Sequence, residues 1–257
     1  MFLDLEIRVL VCKKDIEMCL NMVNSLRKYD EFKNIPIFFH SDGSLDIECK
    51  TILNTLDNTV IIEKDYADKH IIEYIGDNVY CKKYRLGNDR LSLWHKIKLF
   101  DFWFLSNSKN ILCIDSDILF LNNPITIIEL IKLSIPFYFP DFQNSYSFGK
   151  NTNISVLDRV NTGLVYIPSE KYYNIKSIET ALTDLYINGI FNTPQWIEQS
   201  AYAHMFHING KYIMLDESKY KIPNEYTSIT NNIECLHFVG HPPIRKMYNH
   251  FLKTEYL

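Results

Sequence analysis

One stretch constrains this chain more than any other: Asn110-Ile111-Leu112-Cys113-Ile114-Asp115-Ser116-Asp117-Ile118-Leu119-Phe120-Leu121. The apolar residues before the acids read as a strand buried on both faces. Two carboxylates two positions apart at the end of such a strand repel each other, and desolvation near a core makes both harder to ionise. A divalent cation removes that penalty, because hard oxygen ligands suit Mg²⁺ or Mn²⁺. The cation can also bridge a diphosphate and neutralise the charge that grows on it as a leaving group. As a bare tripeptide, Asp-x-Asp is also what an exposed turn carries by chance. The apolar runs on both sides argue against that turn.

Segments around this stretch alternate between strand and helix. Val9-Leu10-Val11-Cys12 reads as a first buried strand, and Asp15 can cap a helix that aligns Ile16, Cys19, Leu20, Val23 and Leu26 on one face. Ile35 to Phe39 and Thr59 to Ile62 read as further strands, the former followed by the turn Ser41-Asp42-Gly43-Ser44. Lys64 to Asp89 is polar, Tyr-bearing and fits no clear pattern. Ser92 opens a helix through Leu105 with Ile97, Phe100 and Phe104 on its buried stripe. A turn at Asn122-Asn123-Pro124 precedes a helix from Ile125 to Leu133, and residues 141 to 155 read as a long polar loop. Strands are expected at Phe137 to Phe139, Leu164 to Ile167, Tyr212 to Leu215 and Cys235 to Val239. Strands separated by helices predict an α/β fold with a sheet covered on both sides, and residues 1–257 form a single domain. In such sheets ligands bind beyond the carboxyl ends of the strands, where Asp115 and Asp117 lie.

Composition narrows the partners. A net charge of -4 gives no global case for nucleic acid or an anionic membrane. The six cysteines have no CxxC pair and no zinc-type spacing, which reads as reduced thiols in a cytoplasmic protein, with peripheral attachment to a membrane left open. Asp4, Glu6 and Arg8 interrupt any signal peptide, and no apolar run approaches the ~20 residues of a transmembrane segment.

Four separated segments together resemble one family. They are the Asp115-Ser116-Asp117 strand, Asn161-Thr162-Gly163-Leu164-Val165-Tyr166, Glu198-Gln199-Ser200-Ala201, and His237-Phe238-Val239-Gly240. In this order they resemble the GT-A glycosyltransferases, and most closely the family-8 retaining enzymes that include glycogenin and bacterial lipopolysaccharide galactosyltransferases. The resemblance implies the GT-A nucleotide-diphospho-sugar transferase fold, a mixed central sheet flanked by helices. It implies transfer of a sugar from a nucleotide-sugar donor, a UDP-sugar in most of the family, to a hydroxyl of a glycan, lipid-linked or protein acceptor, with retention and with Mn²⁺ or Mg²⁺. It also makes Asp115, Asp117 and His237 the metal ligands; without it, His237 reads as a strand-end histidine satisfied by backbone.

Other roles carry over residue by residue. Asn161 and Gln199 would face the donor sugar or the reacting carbon, and Glu198, where the family has Asp, would orient sugar hydroxyls or the acceptor. Cys12, Lys13 and Asp15 lie at the end of the first strand, where the family binds the nucleotide base, and backbone groups can serve there whatever the side chains. Ser116 sits within the metal motif. Lys96 resembles a basic residue on the helix before the acidic strand, equally a charge on a wet helix face, with Arg90 a poorer candidate. Where the family has a phosphate-binding Lys after the His motif, this chain has Pro243, so Arg245 or Lys246 would have to reach the diphosphate from a shifted position. Asp141 is a further acid on the acceptor side by position.

Rival readings differ in residues. A sugar nucleotidyltransferase needs a Gly-rich basic loop after the first strand, and here Lys13-Lys14-Asp15 has no glycine. A haloacid dehalogenase phosphatase carries Asp-x-Asp early in the chain, followed by Gly-Thr rather than Ile118-Leu119. The non-enzymatic alternative is a nucleotide-sugar or glycan-binding module of the same fold.

Overall fold

The computed structural model describes residues 4–87, 94–144, 146, 154–168, 173–187, 196–224, 227, 230–239 and 242–252, without the side chains of Pro242, Pro243, Arg245 and His250. Strand β1 (Leu5–Val11) leads through a short 3-10 turn into helix α1 (Ile16–Arg27), followed by β2 (Ile37–Ser41), α2 (Ile47–Leu53) and β3 (Thr59–Ile62). These three strands pair in parallel, with β1 central between β2 and β4 (Asn110–Ile114). The parallel run is possible because helices carry the chain back to the same edge, and it explains the continuous apolar runs Val9–Val11 in β1 and Ile111–Ile114 in β4.

The segment that fits no pattern in the sequence folds as two helices, α3 (Lys64–Ile75) and α4 (Val79–Leu86). Helix α5 (His95–Phe104) precedes β4 and begins later than the sequence suggests; Ser92 lies outside the described residues. After β4 come β5 (Ile118–Phe120), α6 (Ile125–Lys132), β6 (Phe137–Pro140), β7 (Val160–Ile167), α7 (Ile175–Ile187) and α8 (Ile197–Asn209). Strand β8 (Ile213–Met214), β9 (Tyr220–Lys221), β10 (Cys235–His237) and α9 (Pro242–Phe251) complete the chain.

The main sheet has the order β3-β2-β1-β4-β7-β6-β8, and a small second sheet has the order β5-β10-β9. Strand β7 runs antiparallel to both β4 and β6, so the sheet is mixed, as expected. Two apolar cores cover its faces, one through Ile7, Met22, Ile37, Ile114 and Leu164, the other through Phe100, Cys113, Val165, Leu182 and Phe206. Each such side chain buried from water contributes roughly 1.5–3 kcal/mol before entropy is subtracted. A third cluster seats α9 on the small sheet through Phe238, Tyr248 and Phe251. Among the described residues no helix is long and apolar enough to cross a membrane.

Candidate active site

The carboxyl ends of β1, β2 and β4 share one edge of the sheet, and the site forms there. The chain leaves β4 in a tight turn, Ile118 N donating to Asp115 O at 3.3 Å, with Ser116 buried between the two acids. Strand β5 then pairs antiparallel with β10, setting His237 opposite Ile118, and Phe238 N donates to Asp117 O at 2.9 Å. This non-local pairing brings His237 to the acidic pair across the sequence. Its Nε2 lies 3.1 Å from Asp117 Oδ1 and 3.7 Å from Asp115 Oδ2. One ligand atom from each of the three residues falls within 4.8 Å of the others.

Gly163 makes room for this arrangement. It lies opposite Asp115, whose N donates to Gly163 O at 2.7 Å, and a Cβ on Gly163 would sit 2.1 Å from His237 Cε1. The imidazole occupies the volume of the missing side chain, and Phe139 meets it edge-on with centroids 5.4 Å apart. Two carboxylates and one imidazole are the donor set of Mn²⁺, and of Mg²⁺ where oxygen dominates. Burial opposes the imidazolium of His237, but Asp117 and then Asp115 outweigh it, so the value rises. Positive charge is therefore favoured at the point that a cation would occupy, and the residues present fit a divalent ion.

Behind the acids stands Lys98 on α5, 4% exposed, its Nζ 2.8 Å from Asp115 Oδ1, 3.3 Å from Thr162 Oγ1 and 3.9 Å from Glu198 Oε1. Burial opposes its charge, yet Asp115 and then Glu198 raise it above the ordinary lysine value. The Thr162 hydroxyl donates to Glu198 Oε2 at 3.1 Å. Burial pushes the Glu198 carboxyl up to about 7, Lys98 working against the rise and Asp115 with it.

A second group gathers at Asp141, just past β6. Asn161 Nδ2 and Gln199 Nε2 both donate to its Oδ2, at 3.3 and 3.2 Å, and Phe142 N donates to its Oδ1 at 2.8 Å. Asn161 Oδ1 accepts from Gly163 N at 2.9 Å, which ties this group to the strand that cradles His237.

Of the residues singled out in the sequence, Asp115, Ser116, Asp117, Asn161, Glu198, Gln199 and His237 thus lie in one connected region. Lys96 lies elsewhere: its Nζ donates to Gly87 O at 2.8 Å, and the ammonium at Asp115 belongs to Lys98, two positions on. Cys12, Lys13 and Asp15 stand at the end of β1, largely engaged with near neighbours. Cys12 Sγ donates to Asp15 Oδ2 at 3.1 Å, and burial, then Asp15, pushes the thiol up to about 12. Lys13 Nζ pairs with Asp46 at 2.5 Å on the surface. Helix α9 includes Arg245, whose side chain lies outside the described residues, as does Arg90; Lys246 is exposed. Lys98 and Thr162 went unnoticed as site residues, and their only signal is three-dimensional.

No protein-family profile and no curated protein sequence matches this chain. Solved structures do. Mouse xyloside xylosyltransferase 1 superposes with a TM-score of 0.61 at 10% identity, over 93% of this chain and 98% of that one. The galactosyltransferase LgtC, in complex with donor and acceptor sugar analogs, gives a TM-score of 0.59 at 11% identity, over 97% and 95%. The mannosyltransferase Ktr4p from S. cerevisiae, in complex with GDP, gives 0.52 at 13% identity, over 79% and 66%. The chain has the GT-A fold of these proteins.

Proposed function

We propose that this protein is a metal-dependent glycosyltransferase that moves a sugar from a nucleoside diphosphate donor to an acceptor hydroxyl. The observation that carries the reading is the convergence of Asp115, Asp117 and His237 within 4.8 Å at the carboxyl edge of the sheet, with Gly163 hollowed out for the ring. The GT-A fold, which LgtC and the xylosyltransferase also have, supports it.

Asp115, Asp117 and His237 would hold Mn²⁺, or Mg²⁺ in its place. When bound, the ion would neutralise charge growing on the diphosphate as it leaves. The chain's own residues supply the rest. Lys98 adds a buried positive charge beside the acids. Asp141 fixes the amide nitrogens of Asn161 and Gln199, and the orientation this gives both side chains supports the reading that they would face the donor sugar. A UDP-sugar donor and retention of configuration follow from the resemblance of the four motifs to family 8, and Cys12, Lys13 and Asp15 would border the base. The acceptor is a glycan, a lipid-linked sugar or a protein hydroxyl, reached from the Asp141 side. The protein would work in the cytoplasm as a single-domain enzyme.

The test is a panel of nucleotide sugars incubated with the purified chain and Mn²⁺. Slow release of UDP from at least one UDP-sugar, abolished by a chelator, is the expected result. No binding of any nucleoside diphosphate in the presence of Mn²⁺ would overturn the reading.

A further inference from the structure

The cluster behind the acidic pair holds one carboxylate oxygen without a hydrogen-bond partner among the described residues. Glu198 is 2% exposed, and its Oε2 accepts from Thr162 while its buried Oε1 has no hydrogen-bond partner among the described residues. Leaving a buried acceptor unsatisfied is costly, more so when the group is charged. Lys98 Nζ stands 3.9 Å from it, and that ammonium bonds Asp115 Oδ1 at 2.8 Å instead. An ammonium has three donors. A shift of about 1 Å would bring it from one carboxylate to the other at charge-assisted hydrogen-bond length.

Lys98 and a divalent cation are rivals for Asp115. Both are positive, both need the same carboxylate, and they repel each other across it in a poorly solvated place. A cation bound at Asp115 therefore weakens the hold on Lys98 and pushes it away. The side chain is walled in, and the only second carboxyl group paired with it among the described residues is Glu198.

Resting on the transferase reading above, we propose that Glu198 is a positioning residue: it receives the Lys98 ammonium when a cation takes Asp115, so that occupancy of the metal site and the position of Lys98 change together. Thr162 holds Glu198 in place for the exchange, since its hydroxyl bonds the oxygen that Lys98 does not need.

The charges around Glu198 agree with this. Burial pushes the carboxyl up to about 7, so near neutrality it carries a proton for much of the time while Lys98 rests on Asp115. Charged neighbours on the elements packed against it are Lys98 from α5 and Asp115 from the end of β4. Cys113, Tyr173 and Tyr202 also face it, and burial raises all three, keeping them neutral. Arrival of Lys98 favours the carboxylate, and the proton is released to solvent.

The experiment is Mn²⁺ titration of the full chain by calorimetry, repeated in buffers of different ionisation enthalpy, for wild type, Glu198→Gln, Lys98→Met and the double variant. Glu198→Gln is expected to bind Mn²⁺ about tenfold more weakly, a typical size for coupling between sites. It should also release fewer protons on binding below pH 7, where Glu198 is protonated. In the Lys98→Met background, where no ammonium needs a seat, Glu198→Gln is expected to have no further effect. A Glu198→Gln loss of the same size in that background marks a merely structural role and overturns the proposal, as does wild-type Mn²⁺ affinity in Glu198→Gln. Should Glu198→Gln fail to fold, Glu198→Asp, whose shorter side chain lengthens the reach, is expected to weaken binding in wild type only. Wild-type protein that takes up no Mn²⁺ at all defeats the transferase reading itself, whereas normal wild-type binding with an unaffected Glu198→Gln defeats only this inference.

Discussion

Adding one methyl group at Gly163 should disable the proposed metal site. The Cβ of Gly163→Ala would fall 2.1, 2.6 and 2.8 Å from Cε1, Nδ1 and Nε2 of His237. Carbon atoms in contact sit about 3.5–4.0 Å apart, so the ring must retreat by roughly 1.4 Å or the strands must part. The ring is also packed against Phe139, edge-on at 5.4 Å, and Asp117, whose oxygen stands 3.1 Å from Nε2, so any displacement disturbs these contacts. Metal–ligand distances tolerate about 0.2 Å, so a displacement several times larger removes the third ligand. Even changes to the groups that merely orient a metal's ligands lower affinity about 10–100-fold, and this one should cost at least that, alongside about 1–3 kcal/mol of stability from overpacking. Mn²⁺ titration and urea denaturation read the two effects. In a His237→Ala background the stability cost of Gly163→Ala should largely vanish, because the clashing ring is gone. An equal cost in both backgrounds, or unchanged Mn²⁺ affinity in the single variant, would refute the placement of His237 against Gly163.

Three further outcomes are expected. Glu198, with its carboxyl raised from the ordinary 4.5 to about 7, contributes stability that is full below pH 4.5 and lost as pH rises through 7. The stability of wild type minus that of Glu198→Gln should therefore fall by about 3 kcal/mol between those limits, measured by urea denaturation across pH, and a flat difference would contradict it. Asp101 is fully buried and takes Arg85 in two bonds of 2.8 Å, with Asp68 at 2.7 Å on the same guanidinium. Asp101→Asn should destabilise the chain by about 3 kcal/mol by leaving Arg85 partly unpaired between α4 and α5, seen as a lowered denaturation midpoint. Lys96→Met should leave Mn²⁺ and UDP affinity unchanged, since Lys96 bonds a distant carbonyl; a large loss of UDP binding would restore it to the site.

Some of this was legible beforehand for definite reasons. Strand β4 and its acids stand out because two carboxylates between apolar runs are costly without a cation. The run Val9-Leu10-Val11 in β1 is apolar without alternation, as expected for a parallel strand covered on both faces. Helices α3 and α4 were not legible, because Tyr66, Ile72, Tyr74 and Val79 lie exposed and blur the amphipathic stripe that marks a helix. Strand β5 was hidden inside the apolar run Ile118–Leu121, as its partner β10 lies more than a hundred residues on. Lys98 was missed in favour of Lys96 because burial of a charge depends on partners, and Asp115 and Glu198 are remote in sequence. Arg8 offers the same lesson. It is wholly buried within β1, bonded to Glu6, to His40 at 3.2 Å and to Leu105 O at 3.2 Å, none of which a strand pattern discloses.

On the reading proposed here Asp115, Asp117 and His237 together hold a divalent cation against a nucleoside diphosphate. Electron paramagnetic resonance of Mn²⁺ tests it most directly, since free and protein-bound ion give distinct signals. Wild type with UDP should remove Mn²⁺ from solution, and Asp117→Asn and His237→Ala should each leave it free at the same concentrations. Mn²⁺ that stays free beside the wild type, or that binds both variants equally well, would show that these three residues do not hold the ion.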